Sequence, residues 1–455
     1  MTWDTLPWLE TAVTAPLLLA APAALARSKA TGVRWATAGC GLALLAAAVA
    51  WAAQHWTGGQ GGGPLFRVDE LSAPLLPVVA LLHLLTAATT SRQKAERFAP
   101  ARFLFTLALR LATFATLTTG LLVPLLIAAA VPAYFDLRER GKPTRVYAAH
   151  MAAFALLLLL GWGLTAAGVK EVGAVLFVSA ALVRGGVLPV HVWIPDLFAN
   201  GSLNSALLSV GPLVGVYAAV RLAVPDAPAW VLPAVTVLSL VTAVYSAGLA
   251  VVQTDVRRFV AHLFVSFASL VFVGLEVHTT ESSTGALALW FSLMLSATGL
   301  GLVVRAVEDR YGRLSLTAYH GLYERSPLLA VGFLVCGLAC VGFPGTLGFV
   351  SAELLVDGTL HANPWVGVSV IAVGALNGIA VLRAFWLLFT GRRAGSSADL
   401  PLSRPERLTV VGLCVLLVAG GLYPQPELDS RIKAADVLFP AGGRPPHDTP
   451  PPHGV

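Results

Sequence analysis

Apolar runs of membrane-spanning length recur along the whole chain, at roughly 12–26, 33–53, 71–90, 103–119, 121–136, 147–168, 172–200, 205–224, 229–252, 259–276, 284–305, 328–356, 364–388 and 407–423. A hydrocarbon core of about 30 Å takes about 20 apolar residues in an α-helix. Within it every backbone polar group must be satisfied by the protein itself, which leaves only helices or closed barrels. Runs of this length predict an all-α integral membrane protein of about fourteen transmembrane helices. The composition agrees, because 12% of the 455 residues are charged and 56% hydrophobic, whereas a globular domain carries about 25% charged residues.

Two of the runs are interrupted, at Val183-Arg184-Gly185-Gly186-Val187-Leu188-Pro189 and at Val341-Gly342-Phe343-Pro344-Gly345-Thr346-Leu347-Gly348. A broken helix persists in a bilayer only where protein or a hydrated cavity re-satisfies the freed backbone groups. Breaks at corresponding places in two halves are a pointer to an ion path near the midplane. The expected organisation is three N-terminal helices (1–100), a first five-helix repeat (101–225, helices 4–8), an inverted second repeat (226–391, helices 9–13), a last helix (392–428) and a disordered tail (429–455), each repeat holding one broken helix.

Charge supports the count, since Lys and Arg gather in cytoplasmic loops. They cluster at Arg27, Lys29 and Arg34, at Arg92, Lys94, Arg97 and Arg102, at Arg138 to Arg145, at Arg257 and Arg258, at Arg305 to Arg325, and at Arg392 to Arg407. The loop from Asn200 to Asn204 is the one loop on that side without a basic residue. An even span count then places both termini outside a cell inner (plasma) membrane. The net charge of +6 follows from this topology and calls for no nucleic-acid partner. Met1-Thr2-Trp3-Asp4 has no basic n-region, so no cleaved signal peptide is expected.

Soluble-type catalysis finds little support. Cys40, Cys336, Cys340 and Cys414 sit in apolar spans without metal-ligand spacing, and no phosphate loop, nucleophile elbow or carboxylate pair is present. His447 and His453 fall in the expected tail, where they read as solvated. No metal site and no cofactor are expected in this chain.

Four local patterns carry more specific information. They are Phe66-Arg67-Val68-Asp69-Glu70-Leu71-Ser72-Ala73; Leu188-Pro189-Val190-His191-Val192-Trp193-Ile194-Pro195-Asp196 with Ser205-Ala206-Leu207-Leu208-Ser209; Val251-Val252-Gln253-Thr254-Asp255-Val256-Arg257-Arg258; and Leu382-Arg383-Ala384-Phe385-Trp386 with Gly421-Leu422-Tyr423-Pro424-Gln425-Pro426. Together, over roughly 65–428, the chain resembles the antiporter-like membrane subunits of respiratory complex I. That family also serves membrane-bound hydrogenases, multisubunit cation/proton antiporters and two-component inorganic-carbon uptake systems. The ending at Tyr423-Pro424-Gln425-Pro426 is similar to the shorter of these subunits.

The resemblance implies a proton-conducting-type subunit whose partners are other membrane subunits, the bilayer and protons, with cofactor chemistry on other chains. It leaves two alternatives open. One is the membrane half of an inorganic-carbon uptake pair whose partner is a soluble zinc protein. The other is a non-conducting structural paralogue of a membrane arm.

The same resemblance exposes departures. Aligning on Pro132-Ala133-Tyr134 puts Ile127 where transporting relatives carry a glutamate, and aligning on Leu188-Pro189 puts Arg184 where they carry a lysine. Ser292, Ser296 and Leu300 fall where they carry two histidines and a lysine, and Ser209 with Pro212-Leu213-Val214 replaces titratable groups. Beside the second break Ala352 takes the titratable position, with Glu353 its neighbour about 100° round the helix. Apart from Lys170, no lysine lies between Lys142 and Lys433.

Ion-path candidates are therefore Arg184, His191, Glu353, His262, Ser209, Ser292 and Ser296. Arg184 reads either as a fixed electrostatic element attracting an anion or carboxylate, or as a donor to carbonyls freed at Gly185-Gly186. His191 reads as a proton relay in a wet cavity or as a packed imidazole. Glu353 reads as a proton gate or a protonated, packed acid, and His262 as a helix–helix hydrogen bonder. Asp69, Pro189, Trp193, Asp255, Arg257, Pro344 and Arg383 are the structural motif residues. Of these, Asp255 is expected to cap a helix start and Arg383 to snorkel. Arg110, inside the fourth span, reads either as a bundle-facing contact or as a span edge.

Overall fold

Each apolar run contains helix in the computed structural model. The structure describes residues 7–57, 61–62, 65–90, 98–277, 279–391 and 401–439. In chain order the helices are α1 (Trp8–Ala24), α2 (Lys29–Thr57), α3 (Leu75–Ala88), α4 (Pro100–Phe114), α5 (Thr119–Ala128), α6 (Val131–Glu139), α7 (Arg145–Ala166), α8 (Lys170–Gly185), α9 (Trp193–Asn200), α10 (Leu203–Val210) and α11 (Val214–Ala218). They continue as α12 (Val231–Val252), α13 (Val256–Glu276), α14 (Thr280–Tyr311), α15 (Pro327–Val341), α16 (Gly348–Ala362), α17 (Pro364–Phe389), α18 (Arg404–Leu422) and α19 (Gln425–Leu438). A two-residue antiparallel ladder, β1 (Gly61–Gly62) with β2 (Arg67–Val68), is the sheet among the described residues.

Nine helical stretches among the described residues are long and apolar enough to cross a membrane. The other apolar runs hold shorter helices. Those of α1, α3 and α15 are apolar but brief, α4 carries Arg102 and Arg110, and α8 and α16 each belong to a broken pair. At 1.5 Å rise per residue a 15-residue helix reaches only about 22 Å, so a break or a short helix takes a run below full crossing length.

Burial separates an axis from a rim. The stretch Leu203–Ala223 and the helices Val256–Glu276 and Thr280–Tyr311 are almost wholly enclosed by protein, whereas α7, α17 and α18 leave most of their apolar surface outside. A helix apolar all round belongs in such an interior. Lipid is as apolar as leucine, so helix contact rests on close packing at small residues. Gly215 shows this, since a β-carbon there would lie 2.7 Å from the Gly185 backbone nitrogen.

The C-terminal region departs from expectation. Residues 429–438, expected to start a disordered tail, complete α19 and pack on the bundle. Buried Arg431 donates to the Glu70 carbonyl at 2.9 Å and to the Leu71 carbonyl at 3.3 Å, anchoring the helix to the segment before α3. The polar run hid a helix whose stability comes from tertiary contact rather than from an apolar stripe. The rest of the expected tail, with His447 and His453, lies outside the described residues, as do Arg92, Lys94, Arg97, Arg392 and Arg393.

Candidate functional site

The first break is built on a left-handed glycine. Helix α8 is closed by Gly186, φ +72°, a conformation that strains a residue with a side chain, and a β-carbon there would also displace Ile194 Cδ1, 2.3 Å away. The amide of Val187 closes back on the Leu182 carbonyl at 3.0 Å, a helix-ending turn. The chain passes Pro189 and restarts at Trp193, whose Nε1–H donates to the Val183 carbonyl at 2.9 Å. Leu188 N–H is taken by Thr242 Oγ1 at 3.0 Å. The break is thus satisfied by neighbouring protein groups.

Arg184 does not serve that break. Its Nη2 donates 2.8 Å to the carbonyl of Ser209 on the next span, and its guanidinium lies 5.0 Å from the centre of the Trp193 ring. The carbonyls at Gly185-Gly186, one of the two expected targets, are not its partners.

Ser209 sits at an interruption that sequence reading missed. Helix α10 stops before Gly211-Pro212, Leu213 takes a left-handed φ of +48°, and the chain resumes as α11 and a π-turn over Ala219–Ala223. A left-handed non-glycine residue costs about 1–2 kcal/mol. Three of the freed carbonyls are taken up by side chains from other helices. Arg110 donates to the Leu208 carbonyl and, at 3.4 Å, to Ser209 Oγ; Arg184 takes the Ser209 carbonyl; Trp290 Nε1 donates 3.1 Å to the Pro212 carbonyl. Of its two readings, Arg110 is therefore the bundle-facing contact. The available signal was the Gly-Pro dipeptide inside an apolar run.

At the second break α15 ends at Gly342, φ +80°, and Phe343 N–H closes on the Leu338 carbonyl at 3.0 Å. Pro344 is exposed, and Leu347 N–H is accepted by the Leu417 carbonyl at 2.8 Å. Ala352 packs inward, with its Cβ 2.6 Å from where a β-carbon at Gly342 would stand. Glu353 is consequently turned out and exposed, away from the break. Ser292 and Ser296 are buried on α14. Ser296 Oγ donates back to the Ser292 carbonyl at 2.8 Å, and Ser292 Oγ has no partner.

Of the histidines, His191 lies within the first break, between Gly186 and Trp193, where its carbonyl accepts from Ile194 N–H at 3.1 Å. The ring of His191 is half-buried and meets Tyr245 edge-on at 5.5 Å. His262 is buried with Nδ1 unpartnered, not in the helix–helix bond expected of it. A link that sequence reading did not single out joins three elements: Asn377 donates to Ser266 Oγ at 2.9 Å, and Ser266 to the Ala243 carbonyl at 3.0 Å.

The remaining motif residues are structural. Asp255 caps α13 by accepting from Arg258 N at 3.0 Å. Arg383, expected to snorkel, instead reaches the carbonyls of Gln253 and Leu316 at 3.2 and 3.0 Å. Asp69 holds Arg221 by two bonds of 2.6 Å. Burial raises the Asp69 carboxyl, but the bonds and charge of Arg221, with two bonds from Ser72, more than offset this and leave it below the usual carboxylate range.

The loop at 200–204, without basic residues of its own, is ringed by arginines from elsewhere. Arg257 bridges the Gly201 carbonyl and Glu308, Arg313 reaches the Ala199 carbonyl, and Arg305 reaches Asn204. Beside this loop, on the face bearing the basic loops, a cavity of about 330 Å³ runs inward past Arg102, Asp136 and Asn204 to Arg110 and Ser209.

The family described as "NADH:quinone oxidoreductase/Mrp antiporter, TM" matches residues 152–377, which contain both glycine breaks. NADH-quinone oxidoreductase subunit M of Mycobacterium tuberculosis is 27% identical over 260 residues, 56% of this chain and 47% of that protein. The chain belongs to the antiporter-like membrane subunit family of respiratory complex I. It spans about half the length of the first curated relatives it matches. Two solved structures share the antiporter-like fold. A chain of respiratory complex I from Thermus thermophilus superposes with a TM-score of 0.84 at 24% identity, covering 95% of this chain and 99% of that one. A chain of the Mrp complex of a Dietzia species does so with 0.84 at 20% identity, covering 97% and 98%. This antiporter-like chain is a multi-pass membrane protein.

Proposed function

We propose that this chain is an antiporter-like, proton-conducting-type membrane subunit of a complex I-related assembly in a plasma membrane. The basic-loop face would be cytoplasmic and both termini outside, with other membrane subunits as partners and cofactor chemistry on other chains. One observation carries the reading: the cavity on the basic-loop face ends at Arg110 and Ser209, where the two interrupted spans meet across the Arg184–Ser209 bond. A polar route into the bundle thus stops beside the first of the two broken helices, the kind of discontinuity at which ion sites lie in such folds. Arginine does not release its proton in a protein, so transfer beyond this point rests on water and on hydroxyls such as Ser292 and Ser296.

A second reading, a non-conducting structural member, is favoured by the complete capping of the carbonyls of Leu208, Ser209 and Pro212. Two measurements separate them. Tagging and mild extraction from the native membrane should recover redox-complex subunits; recovery of one large zinc protein would instead assign an inorganic-carbon pair. In proteoliposomes a pH jump should give uncoupler-sensitive proton flux, and a silent, folded protein would leave the structural reading.

A further inference from the structure

We infer that Arg110 and Ser209, which line the inner end of the cavity, form a binding site for a small monovalent inorganic anion of the halide or bicarbonate class, backed by the charge of Arg184 behind the Ser209 carbonyl. The inference does not depend on whether the chain conducts protons. The guanidiniums of Arg110 and Arg184 are buried, 2% and 4% exposed, yet neither has a carboxylate within ion-pairing distance among the described residues. Arg110 bonds the Leu208 carbonyl and the Ser209 hydroxyl, and Arg184 the Ser209 carbonyl. These are neutral oxygens on consecutive residues.

A buried charge without a counter-charge is costly, and a guanidinium has no route to neutrality by proton loss. Each of these two also keeps an enclosed Nε–H with no acceptor. Ser209 Oγ already accepts from Arg110, which leaves its own proton to give. The site therefore offers the Arg110 charge and the Ser209 hydroxyl at the cavity wall, with the Arg184 charge behind them, and lacks an acceptor with negative charge.

The approach fits the same ligand. Three of the arginines along the cavity are neutralised in place, Arg102 by Glu139, Arg140 by Asp136 and Arg257 by Glu308. Arg305, bonded to Asn204 and Thr89, and Arg110 at the inner end have no carboxylate within ion-pairing distance among the described residues, so the cavity carries positive charge that draws an anion inward. A volume of about 330 Å³ accepts a small ion with part of its water shell, since a water occupies about 30 Å³.

The test uses the full chain in detergent, with potassium chloride or potassium bicarbonate titrated against potassium gluconate at constant ionic strength. Wild type should show a saturable rise in melting temperature with chloride, bicarbonate or both, and none with gluconate. Saturation by chloride alone assigns a halide site, and by bicarbonate alone an oxyanion site. Arg110→Met should weaken the apparent affinity at least tenfold, while Arg145→Gln, exposed and outside the cavity, should leave it unchanged. Should Arg110→Met not fold, Ser209→Ala keeps both capped carbonyls and should still weaken binding about threefold or more. No saturable difference among the three salts in wild type, or wild-type affinity in Arg110→Met or Ser209→Ala, overturns the site.

Discussion

Trp193 stands between the first break and Arg184: its indole N–H donates 2.9 Å to the Val183 carbonyl while its ring lies 5.0 Å from the Arg184 guanidinium. One side chain thereby closes the helix end and shields a buried cation, and Arg184 carries the arrangement across to the second interruption at Ser209.

Trp193→Phe keeps an aromatic face for Arg184 but leaves the Val183 carbonyl without its indole donor. A stranded buried acceptor costs about 1–3 kcal/mol, so the variant should unfold at correspondingly lower temperature or denaturant in detergent. Stability equal to wild type would show that the bond does not support the break.

The Asp69–Arg221 pair ties the segment before α3 to the end of the eighth span, 152 residues away. Because the folded carboxyl titrates below its unfolded value, the pair contributes stability above about pH 4, near the unfolded pKa, and loses it as pH falls through the folded value. Melting temperatures from pH 7 to 3 should fall more steeply for wild type than for Asp69→Asn. At pH 7 the variant should be less stable by about 2 kcal/mol. Parallel pH profiles would exclude the linkage.

Glu427 in α19 has the opposite sign. Burial, opposed by the nearby Arg431, pushes its carboxyl up to about 8, and its Oε1 has no partner. The protonated form is favoured on folding, so the docking of α19 is strongest below the ordinary glutamate value of about 4.3 and weakens as pH rises toward 8. Hydrogen exchange over 425–438 should be faster at pH 9 than at pH 6 after correction for intrinsic rate. Glu427→Gln should remove most of that difference.

Glu353 is exposed on α16, in the second broken span. An ionisable side chain facing lipid there is costly, so a partner subunit is expected to cover it. Glu353→Leu should lower recovery of copurifying subunits several-fold while leaving the unfolding free energy of the isolated chain within about 0.5 kcal/mol of wild type, as for an exposed site. Undiminished recovery would mean that this face meets lipid.

Much of the site's framework was readable from residues alone. The Gly186 and Gly342 breaks are local events, because a left-handed turn strains any residue with a side chain and glycine adopts it freely. The Asp255 cap is equally local, reaching three residues along its own helix. By contrast, Gly211-Pro212 lay unread inside an apolar run. Arg383 reads as a surface cation until two carbonyls from other segments come within 3.2 Å.

The sequence by itself determined the class of solvent, the helical fold, the two glycine breaks and the family, because hydropathy, turn chemistry and motif order are properties of neighbouring residues. Which carbonyl each arginine serves was decided only in three dimensions. Arg110 meets Leu208 from 98 residues away and Arg184 meets Ser209 from 25. One residue of rotation about α16 separates the inward Ala352 from the outward Glu353. Such partners are chosen by how helices cross and turn against each other, which no local pattern encodes.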